Sequence, residues 1–291
     1  MCADQPEDMS AGQVVDTLFG PSEIPSGEER RRRAVEEAMP SYFFYEPDEQ
    51  EPLPLGEAER YIPVVTDEPE LTSLLPYLDE LALFEGRWGF VRENVSRDEW
   101  CRLAEIEVVP VLNGLMDMCA GEMILQPRAV YVYCACAAEG ETLYIYKDDE
   151  ETVAAEIPFP RFPNGSCAAD RFYRTSAPRR DTVGVIAATM GKNISEIARK
   201  WLLAGHEADF RSLRGFALEM LAAMTEYTAA GMIREGCCAG RVHSLGSAKE
   251  GNGRIQAALI DLTAARQIDI GFSRNYLMTP EYSSLSLLFP R

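Results

Sequence analysis

The hydrophobic positions between residues 70 and 123 follow helical spacing. The stretches "ELTSLLPYLDELALF" and "SRDEWCRLAEIEVVPVLNGLMDMCAGEM" repeat apolar residues three and four positions apart, as amphipathic helices do. In the second stretch Ser96 and Glu99 have the spacing of a helix-capping box. Pro110 cannot donate a main-chain hydrogen bond, so we expect a bend near it. This region therefore predicts two helices, the second of them bent.

The centre of the chain changes to β-type patterning. Residues 128–148, "RAVYVYCACAAEGETLYIYKD", contain two β-branched and aromatic runs joined at a Glu-Gly pair, which predicts a β-hairpin. Farther along, "TVGVIAATMG" is a continuous apolar run that ends on Gly191 and predicts a buried strand.

The last third returns to helical spacing and closes with strands. Helices are predicted for "ISEIARKWLLAG", "DFRSLRGFALEMLAAMTEYTAAGMIRE" and "IQAALIDLTAAR", and strands for "IDIGFSRNYLM" and "SSLSLLF". Helices and strands interleave without a βαβ rhythm, which favours an α+β domain with a mostly antiparallel sheet. We place this single domain at residues 56–291. Residues 1–55 are acidic and proline-rich, with one short helix expected from Ser26, and are interpreted as a partly disordered arm.

The net charge of the chain limits the classes of binding partner that we expect. The chain has 28 Lys plus Arg against 47 Asp plus Glu, a net charge of −19, so nucleic acid and anionic membrane surfaces are not expected as partners. No export signal and no apolar run of membrane-spanning length is present, so we expect a cytoplasmic protein.

The chain contains eight cysteines, and five of them lie in apolar patterns that predict reduced core thiols. These are Cys101, Cys119, Cys134, Cys136 and Cys167.

Several common catalytic motifs are missing from the sequence. Phosphate-loop, dinucleotide-binding and serine-hydrolase signatures are absent. The chain has two histidines, and its paired cysteines lack zinc spacing, so we expect no metal site. The segment "RVHSLG" is similar to the Asp-x-His-x-x-Gly pattern of corrinoid carriers, but Arg241 occupies the acidic position. Because an arginine cannot accept the ring N–H, we do not expect His243 to ligate cobalt.

Two places remain open to a binding role. In "CCAGRVHSLGSAKEGNGR", residues 237–254, Arg241 can pair with a carboxylate while Gly246, Gly251 and Gly253 let main-chain N–H groups face an anion. The alternative, favoured by composition, is a mobile surface connector. Asp79 is either a ligand for an ammonium group or, as the pattern favours, a solvated acid on a helix.

From about residue 70 to 289 the chain resembles the activation domain of cobalamin-dependent methionine synthase. Four stretches carry the likeness, in the order expected for that family. They are "LLPYLDELALFEGRWGF", "NGLMDMCAGEMILQPRAVYVY", "SCAADRF" and "IDIGFSRNYLMTPEYSSLSLLF". The resemblance implies a single α+β domain with a bent antiparallel sheet and long packed helices, which agrees with the pattern.

The resemblance also implies a binding site for S-adenosylmethionine. Asp79 matches an Asp that contacts the amino group of this ligand, and Arg241 through Gly246 match a loop whose Arg holds its carboxylate. The family places a Glu on the long helix one turn before a Glu-Tyr pair; here the pair is Glu226-Tyr227 and Ala222 stands one turn earlier.

Two functions follow from the resemblance. In the first, the chain binds S-adenosylmethionine through Asp79, Arg241 and Gly246 and docks on a separate cobalamin-binding protein or methionine synthase module to reactivate it. In the second, it is a non-catalytic docking or assembly subunit of a corrinoid methyltransferase system, with an altered pocket.

Overall fold

The computed structural model describes residues 60–91, 96–163, 165–235, 238, 240–245, 253–273 and 277–290. The predicted arm and its helix from Ser26 lie outside these residues. The described residues group into two compact units. The helical unit comprises Leu78–Leu125 and Asn193–Glu219, and the sheet unit comprises residues 60–77, Gln126–Lys192 and the described residues from Met220 onward.

The helices in chain order are α1 Leu71–Leu74, α2 Arg97–Leu103, α3 Val109–Gly121, α4 Asn193–Leu203, α5 Glu207–Arg234 and α6 Gly253–Leu262. Wider π-helical turns span Ala82–Arg87 and Ala104–Val108, and 3₁₀ turns span Leu75–Tyr77, Ala168–Arg171 and Ala265–Ile268. In the part of the chain that the structure describes, none of these helices is both long and apolar enough to cross a membrane.

The strands are β1 Val64–Asp67, β2 Arg128–Glu139, β3 Thr142–Tyr146, β4 Val153–Pro158, β5 Asp181–Thr189, β6 Val242–Ser244, β7 Gly271–Phe272, β8 Met278–Thr279 and β9 Ser283–Leu288. Seven of them form one sheet in the order β4-β3-β2-β5-β9-β6, with β1 beside the first half of β2. Every strand pair among the described residues is antiparallel. The predicted α+β class with a bent antiparallel sheet is confirmed.

Strand β2 pairs with three other strands of the sheet, β1, β3 and β5. It pairs with β5 from Arg128↔Thr189 to Cys136↔Asp181 and with β3 at its far end. The predicted hairpin is confirmed, and its turn contains Gly140 in the left-handed region that glycine favours.

The two faces of β2 bury different side chains because successive residues of a strand point in opposite directions. The larger core lies on the face of Val130, Val132 and Cys134, which cluster with Leu259 and Ile260 of α6. The other face presents Tyr131 and Tyr133 to Ala229 and Met232, near the end of α5. The sheet is therefore buried on both faces.

Helix α2, in the helical unit, begins at the residue that the sequence predicted. The Ser96 hydroxyl accepts a hydrogen bond from the Glu99 main-chain nitrogen at 3.2 Å, which confirms the N-cap of α2. A π-helical turn, Ala104–Val108, then joins α2 to α3, whose second residue is Pro110.

The thiols are mostly placed as predicted. Cys119, Cys134, Cys136 and Cys167 are buried and free, and burial raises the pKa of the Cys119 thiol to about 12. Cys101 is exposed, so its assignment to the core was wrong. The buried positions of this helical stretch begin at Ala104 and continue at Val108, and Cys101 lies before them beside the exposed Arg102.

Some strands differ from the prediction. The single strand expected over residues 268–278 is instead the end of a 3₁₀ turn followed by the β7–β8 hairpin, because Asp269 turns the chain with a φ of 64°. Strand β9 is confirmed. Strands β1, β4 and β6 were not predicted.

Candidate functional site

Asp79 lies in the helical unit, directly before a helical segment. The region predicted as one helix is α1, a 3₁₀ turn, a break at Leu78 and Asp79, and a new helical segment. Asp79 Oδ1 accepts a hydrogen bond from the Ala82 nitrogen at 2.9 Å, and its carbonyl accepts one from the Leu83 nitrogen at 2.9 Å. The side chain is exposed, as predicted for a solvated acid, but it also caps a helix.

The Asp79 carboxylate retains binding capacity. Among the described residues, Oδ2 makes no hydrogen bond and no ion pair. An ionised carboxylate accepts several hydrogen bonds, so capping leaves acceptor sites for an ammonium group. Asp79 can therefore cap the helix and receive a cation together.

Arg241 lies in the sheet unit, immediately before β6. Its side chain is exposed, and its carbonyl accepts a hydrogen bond from the Phe289 nitrogen at 3.5 Å. Strand β6 then pairs with β9 through Val242↔Leu288 and Ser244↔Ser286. The interpretation of residues 237–254 as only a connector was wrong here, because part of the stretch is an edge strand of the main sheet. That strand holds the main chain of Arg241 at the sheet edge.

Gly240 allows the main chain to lie close to the main chain of Phe289 at this edge of the sheet. Its nitrogen donates to the Phe289 carbonyl at 3.1 Å, and a Cβ at this position would lie 2.6 Å from the same oxygen. Only glycine fits so close to a neighbouring main chain. Sequence reasoning had singled out other glycines of this stretch. Gly246 and Gly251 lie outside the described residues, and Gly253 is the first residue of α6.

His243 is packed among aromatic rings. Its imidazole lies 5.0 Å from the ring of Phe159 in an edge-to-face arrangement and 5.7 Å from the ring of Phe289, nearly parallel to it. Burial lowers the pKa of His243 below its usual value, which favours the neutral ring. The side chain thus has a packing role in the sheet unit.

A tyrosine pair with a carboxylate lies close to the same edge and was not predicted. Tyr131 Oη and Tyr133 Oη donate to the two oxygens of Glu235 at 2.7 and 2.9 Å. Cys238 and Val242 belong to the same apolar cluster as these tyrosines. The spacing of two tyrosines on one face of β2 was the available signal. These contacts anchor the chain between α5 and β6.

The sheet-unit half of α5 carries the Glu226-Tyr227 pair. The ring of Tyr227 contacts that of Tyr77 edge to face at 5.6 Å, and desolvation raises the pKa of Glu226. Ala222, one turn earlier, is exposed and brings no charge. Among the described residues, no group of His, Cys, Asp and Glu side chains has the arrangement of a metal site.

Comparison with known proteins supports the fold. A scan against protein-family models and a search of curated proteins find no match. Among solved structures, the chain is similar to a crystal structure of the MetH reactivation domain bound to AdoHcy. The TM-score is 0.59 at 18% sequence identity, covering 79% of this chain and 78% of that chain. The predicted likeness to this domain is therefore confirmed at the level of the fold.

Proposed function

We propose that this chain is a protein of the methionine synthase reactivation-domain type. It binds S-adenosylmethionine and supports the reductive reactivation of a cobalamin protein in trans. The observation that carries the proposal is the fold likeness, which extends over most of both chains and involves a domain bound to AdoHcy. AdoHcy is what remains of S-adenosylmethionine after it has given up its methyl group.

One charged residue of the helical unit suits an end of this ligand. Its methionine portion carries an ammonium group, and the exposed Asp79 carboxylate is a partner of opposite charge for it. A charge-assisted hydrogen bond contributes about 1.5–3 kcal/mol, equivalent to about tenfold or more in affinity. When bound, S-adenosylmethionine supplies the methyl group, and the protein residues hold and orient it.

The cobalamin is assigned to a partner protein. The imidazole of His243 is engaged by the rings of Phe159 and Phe289, and its neighbour Arg241 offers no acceptor for a ligating histidine. Both features support a corrinoid carried by another protein rather than by this chain.

A second candidate function is favoured by one residue. Ala222 is exposed on α5 where the resembling family places a Glu. A pocket without this carboxylate suits a non-catalytic docking or assembly subunit of a corrinoid methyltransferase system.

Isothermal titration of the full chain separates the two functions. We expect saturable heat with both S-adenosylmethionine and AdoHcy, and none with adenosine, which lacks the charged methionine portion. If no heat is measured at millimolar ligand, the first function is rejected and the second stands.

A follow-up assay adds the chain and a reductant to an inactive cobalamin methionine synthase that lacks its own reactivation domain. Recovery of activity is expected only when S-adenosylmethionine is present.

A further inference from the structure

The first turn of helix α6, in the sheet unit, is positively charged and contains no acidic residue. Helix α6 begins at Gly253, and its second residue, Arg254, is exposed. No acidic residue lies in this turn, although the chain has 47 Asp plus Glu. Because the N-terminus of a helix carries a partial positive charge, an acidic side chain stabilises the first turn and a basic one does not. Arg254 therefore adds a positive charge to a helix end that already favours an anion.

The side chain of Arg254 and the main chain of this turn have donors available for such an anion. Among the described residues, Arg254 forms no ion pair. The first N–H groups of an α-helix have no carbonyl partner within the helix. Those of Gly253, Arg254 and Ile255 donate to no carbonyl elsewhere in the described part of the chain. Main-chain donors and a guanidinium group together suit an oxyanion.

Gln256, the fourth residue of α6, is a buried polar side chain beside this turn. It is 1% exposed and belongs to the buried face of α6 with Leu259 and Ile260, which pack in the larger core. Neither Nε2 nor Oε1 of its amide forms a hydrogen bond with a described residue. Helical side chains lean toward the N-terminus of their helix, so the amide lies alongside the first turn. Because a buried amide without hydrogen bonds lowers the stability of a fold, Gln256 requires a bound group that completes it.

The Gln256 amide limits the class of anion. Nε2 donates and Oε1 accepts, so a group that completes both must carry an acceptor and a donor. A carboxylate or a sulfate ion has acceptors only, whereas a phosphate that retains a proton offers P–O acceptors and a P–O–H donor. We propose that the first turn of α6, with Arg254 and Gln256, binds a protonated phosphate group. Inorganic phosphate and a phosphomonoester share this chemistry.

A small phosphate fits this site better than a nucleic acid. The phosphodiesters of nucleic acids are ionised and have no P–O–H donor for Oε1 of Gln256. A polyanion is also repelled by the net charge of −19 on the chain. Charges farther away than about 8 Å are largely screened at physiological ionic strength, so a small phosphate interacts mainly with the donors of the first turn.

Isothermal titration of the full chain with inorganic phosphate, at pH 7 and constant ionic strength, tests the proposal. We expect saturable binding of phosphate. Sulfate has similar size and charge but leaves Oε1 of Gln256 without a donor, so it should bind about tenfold more weakly. This comparison is made in the wild-type protein and does not depend on the folding of a variant.

Methyl phosphate separates the two sources of the phosphate group. A phosphomonoester loses its last proton with a pKa of about 6. If phosphomonoesters are accepted, methyl phosphate should bind about tenfold more tightly at pH 6 than at pH 7.5, because more of it is protonated. If methyl phosphate fails to bind at pH 6 while inorganic phosphate binds, the site takes inorganic phosphate.

Three variants assign the contacts. Arg254→Ala should weaken phosphate and sulfate alike, about tenfold, because it removes a charge-assisted hydrogen bond to either ion. Gln256→Met keeps the length of the side chain without the amide, so it should abolish the preference for phosphate over sulfate. Arg199→Ala removes an exposed arginine from α4 in the helical unit and should change neither affinity.

Two results would overturn the proposal. Equal affinity of the wild-type protein for phosphate and sulfate would show that the amide does not select the anion. If millimolar phosphate gives no saturable heat, the turn is not a phosphate site, and a bound water must complete the Gln256 amide instead. The phosphate probes contain no S-adenosyl group and Asp79 lies in the helical unit, so failure here is distinct from failure of the proposed function.

Discussion

The imidazole of His243 lies 5.0 Å from the ring of Phe159, although β6 and β4 are the two ends of the strand order in the main sheet. Phe159 directly follows β4 and His243 lies in β6. This contact is possible because the sheet curls until its two ends approach each other. Phe289 bridges the pair, with its ring 5.9 Å from that of Phe159. The closure of the sheet thus depends on an aromatic group that includes a titratable ring.

Protonation of His243 is expected to weaken the fold at acidic pH. Burial lowers the pKa of His243 in the folded state, whereas the unfolded chain keeps a value of about 6.5. The unfolded state therefore binds more protons as the pH falls below about 6.5, and stability is lost from there toward the lower folded pKa. Urea unfolding between pH 5 and 8 should show this slope, and His243→Phe should reduce it. His206→Gln, which changes an exposed histidine, is the control. An unchanged slope in the His243→Phe protein would contradict the prediction.

Replacing Gly240 should destabilise the sheet edge that holds Arg241. In Gly240→Ala the new Cβ would lie 2.6 Å from a main-chain oxygen that cannot rotate away. We expect a loss of about 1–3 kcal/mol in the free energy of unfolding, as for other overpacked sites. Gly114→Ala is the matched control, because it lies within α3 and, apart from its chain neighbours and the main chain of its own helix, no atom lies within 4 Å of the added Cβ. That variant should gain about 0.5–1 kcal/mol. Equal effects of the two changes in chemical denaturation would argue against the steric account.

Local signals in the sequence were sufficient for much of the fold. The cap of α2 depends on Ser96 and Glu99, which are three residues apart, and the β2–β3 hairpin depends on apolar runs that flank one glycine. Such elements are determined by neighbours in the chain, so pattern and turn chemistry predict them. The curl of the sheet follows the family resemblance and is confirmed by the structure.

The candidate site was less accessible to sequence reasoning. Strand β6 is three residues long and lies in a glycine-rich stretch, so only its pairing with β9 makes it a strand. The role of Gly240 arises from its approach to Phe289, a residue far away in the chain. Asp79 was read as part of a continuous helix, although an Asp before an apolar helical run is a common N-cap signal. Strand β6 and Gly240 depend on contacts between residues far apart in the chain, which a local pattern does not predict. The capping role of Asp79 follows from the local N-cap rule.

The ion pair between Arg87 and Glu219 should show strong coupling in the helical unit. Arg87 Nε lies 2.6 Å from Glu219 Oε1, and the Glu219 side chain is only 8% exposed. Arg87→Met leaves a buried carboxylate without its partner, which should cost about 1–3 kcal/mol. In Arg87→Met/Glu219→Met both charges are removed, so the double variant should be more stable than Arg87→Met alone. Urea unfolding of the four proteins of the cycle checks this. Additive losses would show that the pair does not interact.

Asp79 can be tested so that its two roles separate. In Asp79→Asn the side-chain oxygen still accepts the Ala82 N–H, and Asn is as good an N-cap as Asp, so the unfolding free energy should change little. The negative charge is lost, so the affinity for AdoHcy measured by titration calorimetry should fall about tenfold or more. Asp79→Ala should lose both the cap, about 1 kcal/mol, and the ligand contact. Glu80→Gln removes the same charge from the next exposed residue and should leave binding unchanged. Wild-type affinity in the Asp79→Asn protein would reduce Asp79 to a helix cap and reject it as a ligand residue.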